Sequence, residues 1–286
     1  MWEAAEMSKL LHAEFSRLIK NKLFWLGLLV MVGIPLYGVG VRYYDYAVAL
    51  EYIWETADGL WFVGGMYMSV VASVFISLFI GTEYNDGTIR NKLTAGHTRS
   101  EIYFSNLITC SAVSLFYHLV FIAVLFGAGS LLLKTWNTPA KTLVILTALS
   151  LVTVIAMSAI FTMLAMLIHS RSAGAVTAML VAMGMLIVTM TVNAMLSAPE
   201  FIDNAFHMTD VGEVVKSDPI PNPRYVAGFE REMYQHILNL IPTGQMAQFG
   251  NMDYTSDMAY LPLYAVVVAV ICTVVGLAAF RRKDIR

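Results

Sequence analysis

The sequence is short of charge. Asp, Glu, Lys and Arg make up 13% of its 286 residues, whereas 58% are hydrophobic. Soluble domains carry about 25% charged residues, because a surface facing water needs them and one facing lipid does not. The shortfall excludes an ordinary soluble domain and indicates a membrane protein. A net charge of −2 without a long basic run argues against nucleic acid as a partner. Cysteine is nearly absent: Cys110 and Cys272 both lie inside apolar stretches. That excludes a disulfide framework or a Cys/His zinc spacing and leaves two small buried hydrophobes. Catalytic signatures are missing as well. HExxH, GxSxG and CxxC do not occur, so no catalytic or metal-ligating residue is nominated. Without a GxxxxGK[ST] loop the chain cannot cradle ATP in the usual way, and uphill transport would have to draw its energy from another subunit.

What is present is a set of six apolar segments, each long enough for the roughly 20 residues a bilayer-spanning helix needs. They run over Leu23–Val41, Gly59–Ile80, Ile102–Leu133, Thr142–Ile168, Gly174–Ser197 and Ala259–Phe280. The expected fold is an all-α integral membrane domain over residues 1–286. The third segment is long enough to tilt or to begin outside the hydrocarbon. Residues 1–22 do not read as a cleaved signal peptide, because Glu3, Glu6 and Glu14 are mixed with Lys9, Arg17, Lys20 and Lys22. Met7, Leu10, Leu11, Phe15, Leu18 and Ile19 fall at helical spacing, which predicts an amphipathic helix on the membrane surface.

Basic residues set the orientation. With both termini in the cytoplasm, the inner segments hold Lys9, Arg17, Lys20, Lys22, Arg90, Lys92, Arg99, Arg171, Arg281, Arg282, Lys283 and Arg286, or 12 of the 18 Lys and Arg. Arg42, Lys134, Lys141, Lys216, Arg224 and Arg231 fall outside.

The cores of the spans hold no Asp, Glu, Lys or Arg, and His118 alone is ionisable at mid-depth. Ion-coupled carriers usually place such groups in the bilayer, so ion-gradient coupling is disfavoured. Tyr117, His118 and Asn193 are the candidate pathway residues, although a hydrogen bond to a neighbouring helix is the plainer reading of His118. Met179, Met183, Met185, Met190 and Met195 in the fifth span read as packing, with an adaptable surface for apolar cargo as the alternative.

The inner loop of residues 81–101 carries the most local structure. Asp86 is placed to cap a short helix that Gly96 ends, and Thr98 with Glu101 forms a capping box opening the next helix. The result is either a rigid knob suited to transmitting force or an ordinary solvated loop; composition leaves both open. The second inner loop, His169–Ala173, is too short to dock anything.

The string Glu83-x-x-x-Gly87-Thr88-Ile89-Arg90-x-x-Leu93-x-x-Gly96 resembles the coupling-helix loop of type 2 ATP-binding-cassette exporter permeases. The interfacial helix, six spans and large outer segment before the sixth also fit that family. The resemblance implies that a separate ATPase subunit binds the ATP and Mg, so this chain carries no cofactor. It further implies that Glu83 orients the loop, Gly87 permits its turn, and Thr88, Ile89, Arg90, Asn91, Lys92 and Leu93 contact the ATPase, with Arg90 and Lys92 meeting acidic residues there. A second permease copy, or a similar permease, and a bacterial plasma membrane are expected in the same way. Permeases of this size are similar to those exporting phenol-soluble modulins and antimicrobial peptides. Amphipathic peptide export is therefore the expected function, with drug efflux or a secondary transporter as alternatives.

The outer segment 198–258 is polar. Pro219, Pro221 and Pro223 exclude helix locally, and Phe229, Met233, Ile237, Leu240 and Ile241 predict an amphipathic helix that Pro242-Thr243-Gly244 would end.

Overall fold

A computed structural model describes residues 2–48, 58–133, 136–202, 206–208, 214–216, 219–250 and 256–284. Lys134, Arg286 and parts of the 198–258 segment fall outside the described residues. Ten α-helices occur among the described residues: α1 Trp2–Lys20, α2 Lys22–Val48, α3 Val63–Asn85, α4 Thr88–Thr94, α5 Arg99–Leu132, α6 Ala140–Leu167, α7 Arg171–Leu196, α8 Gly228–Leu240, α9 Pro242–Gly250 and α10 Leu261–Arg282. Six of the helical segments are long and apolar enough to cross a membrane, and they contain the six expected spans to within one residue at either end. In hydrocarbon every backbone N–H and C=O must be satisfied internally, so apolar stretches of this length form helices.

α3 forms the centre of the bundle. It packs against α2, α5, α6 and α7, and 61% of its apolar window is buried, against 22% for α7 and 17% for α10. Those outer helices turn Leu180, Ile187, Met190, Leu263 and Val274 outward, a surface suited to lipid. Of the methionines read as packing, Met185 packs against the core, while Met179 and Met183 are exposed like Met190. Several buried hydroxyls in the core bond back to carbonyls of their own helix, as Ser69 does to Met66 O, Ser73 to Val70 O and Ser158 to Val154 O. Both cysteines are free thiols.

One end of the bundle carries α1, α4, the α6–α7 turn and the last turn of α10; we call it the basic end. There the α10 terminus is clamped. Arg99 Nη1 donates to Phe280 O at 2.8 Å and to Lys283 O at 2.5 Å, satisfying carbonyls that a helix end leaves open. Lys283 Nζ donates to Tyr84 Oη (2.9 Å) and Met166 O (2.7 Å), and burial pushes its amine down to about 8. At the opposite end the buried Asp58 carboxylate accepts from Asn137 N (2.8 Å), Thr138 N (3.0 Å) and Thr138 Oγ1 (3.2 Å), tying the start of the second span to the turn before α6.

One expectation for the loops needs correction. Asp86 does not cap the short helix; it closes α3, its N–H bonding to Thr82 O, and Gly87 is the α4 N-cap at φ +67° without a side-chain cap. α8 ends at Leu240, just before Pro242-Thr243-Gly244, as expected, and Pro242 has a second role. It opens α9, because proline lacks only an N–H that the first turn of a helix leaves unbonded anyway. The outer segment is thus a helical hairpin, α8–α9, and α9 inserts between α3, α6 and α7 with Pro242, Thr243, Gly244, Gln245, Met246 and Phe249 all buried. On α8, Leu238 points inward, and Phe229, Met233 and Leu240 of the apolar stripe are exposed. Gly244 sets this packing, since a Cβ there would lie 2.5 Å from Leu238 O. The described residues of 198–227 form no helix, in keeping with the prolines; Phe201–Ile202 pairs with Ile220–Pro221, and Phe206–Met208 with Val214–Lys216, as short antiparallel ribbons.

Candidate functional site

At the basic end the chain leaves α3 at Asn85, turns at Gly87 and forms the two-turn helix α4. Gly96, at φ +98°, ends it: His97 N bonds to Lys92 O (3.1 Å) and Gly96 N to Leu93 O (3.1 Å), a paired closure that needs a left-handed residue after the helix. Two residues later the expected capping box is present, with Thr98 N donating to Glu101 Oε2 (2.8 Å) and Glu101 N to Thr98 Oγ1 (3.2 Å). α4 is therefore held between two stiff turns.

Its inner face is anchored by charge. Glu83, in the last turn of α3, has no exposed side-chain surface; Arg17 Nη1 lies 2.6 Å from its Oε1. Asn106 Nδ2 of α5 donates to Glu83 Oε2 at 2.9 Å. Lys92 Nζ of α4 bonds to Glu83 Oε1 and also to Glu14 Oε1 of α1. Arg17 Nη2 completes a ring as an ion pair with Glu14 Oε2 at 2.7 Å, and its guanidinium lies 3.8 Å above the Phe79 ring. Two carboxylates and two cations from α1, α3 and α4 thus meet in one nearly closed site, with Asn106 from α5 beside them. The Glu14 carboxyl is pushed up to about 7, first by burial and next by the Glu83 carboxylate, against the pull of Lys92 and Arg17.

Of the residues nominated on α4, only some face outward. Asp86, just before it, and Arg90 and Asn91 are exposed. Gly87 and Thr88 are half-buried. Ile89 is buried and Leu93 packs against the core. Lys92 is held in the charge cluster rather than presented to a partner. Beside the exposed edge lies a groove of about 480 Å³ lined by Tyr84, Asn85, Gly87, Arg90, His169 and Asp284. Sequence reading missed Glu14, Arg17 and Asn106 as members of this site. The available signal was Glu14 itself, a carboxylate one helical turn from both Leu10 and Leu18 on the buried stripe of α1.

The three pathway candidates do not converge. Tyr117 Oη donates to Phe24 O at 2.6 Å, joining α5 to α2. His118 Nε2 meets Ser150 Oγ at 2.9 Å, joining α5 to α6. Ser150 spends its own proton on Thr147 O (2.7 Å), so His118 must be the donor and its proton resides on Nε2. Both side chains are fully buried. Asn193 is elsewhere, lining a groove with Arg231 and Gln248 at the end opposite the basic one.

These features define an all-α integral membrane protein with six apolar spans and a charge-locked short helix at one end. The chain belongs to the ABC-2 family: residues 10–184, more than half of its length, match the family of ABC-2 transporter proteins. It is thus a membrane component of an ATP-binding-cassette transporter, with the ATPase in a separate subunit. The matched region includes Glu14, Arg17, Glu83 and Lys92. No curated protein matches the chain at a significant level.

Proposed function

We propose that this chain is the permease of an exporter, that its basic end faces the cytoplasm, and that α4 receives the motion of the ATPase. The observation that carries the reading is the charge cluster. It fastens α4 to α1 and α3 while leaving Arg90 and Asn91 exposed beside an open groove. A push on α4 is then delivered to α3, the most buried span. Amphipathic peptide is the preferred cargo over a sugar or ion, because among the described residues the middle turns of the spans offer apolar and hydroxyl side chains and His118, with no Asp, Glu, Lys or Arg. The transport unit contains a second permease copy alongside the ATPase.

Co-purification with the ATPase encoded beside it, followed by ATPase and peptide-flux assays in liposomes, tests the proposal. Arg90→Glu is expected to keep the fold and the wild-type thermal midpoint while abolishing peptide-stimulated hydrolysis. Peptide flux by this chain alone, driven by an ion gradient, would overturn it.

A further inference from the structure

The groove at the end opposite the basic one is not absorbed by the coupling reading. Its volume is about 580 Å³, within the range of roughly 300–1,000 Å³ typical of small-molecule sites. It lies among the outer ends of α7 and α10 and the α8–α9 hairpin, and its polar lining is Asn193, Arg231, Gln235, Asn239, Gln248 and Tyr264. Among the described residues no carboxylate lines the groove, and Arg231 is the one charged side chain there.

Arg231 is positioned without being neutralised. Its Nη2 donates to Leu196 O (3.1 Å) and its Nη1 to Val226 O (3.4 Å), and the guanidinium stands 5.7 Å from the Tyr225 ring. Among the described residues it forms no ion pair. The amides are ordered by one another: Gln235 Nε2 donates to Gln248 Oε1 (2.8 Å) and to Asn239 Oδ1 (3.1 Å). That leaves the side-chain N–H groups of Asn193 and Asn239 without an acceptor among the described residues. A cation surrounded by N–H and O–H donors selects an oxyanion.

The setting supplies the rest of the ligand. α7 and α10 both pack on α6 and meet α8, but share no extensive interface with each other. Nearer the middle of the spans, Ile187 of α7, six residues before Asn193, and Leu263 and Val267 in the first two turns of α10 are exposed and apolar. Tyr260 is exposed at the rim, and tyrosine favours the level of lipid headgroups.

We propose that this groove holds the phosphodiester headgroup of an anionic phospholipid, with its acyl chains lying along α7 and α10. The proposal needs only the membrane-spanning fold and is independent of the cargo. Native mass spectrometry of the detergent-purified protein, titrated with phosphatidylglycerol or phosphatidylcholine, tests it. One phosphatidylglycerol per protomer is expected to bind about tenfold more tightly than phosphatidylcholine, whose phosphodiester is the same but whose quaternary ammonium would be brought against the Arg231 guanidinium. Arg231→Gln should remove that preference. Since Arg231 also bonds two backbone carbonyls, Asn193→Leu serves as a second variant; Asn193 bonds no side chain among the described residues, and the change should weaken binding while leaving the thermal midpoint unchanged. Equal binding of the two lipids, or no response to either variant, would refute the site. Displacement by glycerophosphate as effective as by the whole lipid would assign it to a soluble phosphate ester and overturn the lipid proposal, as would preferential displacement by a peptide carboxylate.

Discussion

Replacing Lys92 with Met tests the charge cluster most sharply. Lys92 Nζ touches both Glu14 and Glu83; without it, two buried carboxylates share Arg17 alone. Removing one partner of a buried ion pair costs about 3–5 kcal/mol when the remaining charge cannot escape. Here one charge can escape, because Glu14 takes up a proton. Its carboxyl already lies at about 7 against an ordinary 4.5, and Lys92 is one of the two groups holding it down. Losing Lys92 raises it further, so the defect of Lys92→Met is expected to be larger at pH 8 than at pH 6. The same shift gives the wild type a pH dependence of known sign. A carboxyl raised in the folded state binds its proton more tightly there than in the unfolded chain. The associated stability is complete below about pH 4.5, falls as pH rises, and is gone above about pH 7, at up to about 1.4 kcal/mol per pH unit. Glu14→Gln abolishes that slope. Combined with Lys92→Met it leaves Glu83 and Arg17 as a balanced pair, so the double variant should recover stability beyond the sum of the singles by about 0.5–3 kcal/mol. Thermal unfolding of the four proteins in detergent at pH 6 and pH 8 is the assay. A Lys92→Met defect that is the same at both pH values, together with additive singles, would refute the reasoning.

Two further substitutions probe the turns and the hairpin. At Gly87 (φ +67°), an added Cβ would meet nothing within 4 Å, so Gly87→Ala should cost only the conformational penalty of about 1–2 kcal/mol; Gly87→Asn should restore most of the lost thermal midpoint. Gly244→Ala places a methyl 2.5 Å from Leu238 O and 3.0 Å from Leu238 Cα; the loss of about 1–3 kcal/mol expected of overpacking should appear as faster proteolysis of the α8–α9 hairpin, and unchanged cleavage would argue against the close approach.

The six spans are legible in the sequence because hydrocarbon imposes one solution on an apolar run of sufficient length. The Thr98–Glu101 box is legible because capping depends on residues three apart. The charge cluster is not: Glu14, Glu83, Lys92 and Asn106 come from four helices, and only the packing of α1 against α5 and of α4 beneath α3 brings them together. Lys92 accordingly reads as a surface cation. The α8–α9 hairpin is obscured at Pro242, where a residue that commonly stops helices also begins them well. Gln245 is a polar residue that α9 brings into the interior, accepting from Thr153 Oγ1 at 2.7 Å and donating to Asn239 O at 2.7 Å; local sequence gives no sign of either partner.

The length of α5 has a mechanical corollary. Thirty-four residues without proline make a rod of about 51 Å, against a hydrocarbon slab of about 30 Å. It begins at the turn after α4, passes Asn106 beside Glu83, and ends near Trp61 and Trp136, whose rings meet Phe126. Pivoting such a beam by about 5° about its midpoint would swing each tip by about 2 Å in opposite directions, so a modest tilt at one membrane face would be felt at the other with no intervening joint to absorb it.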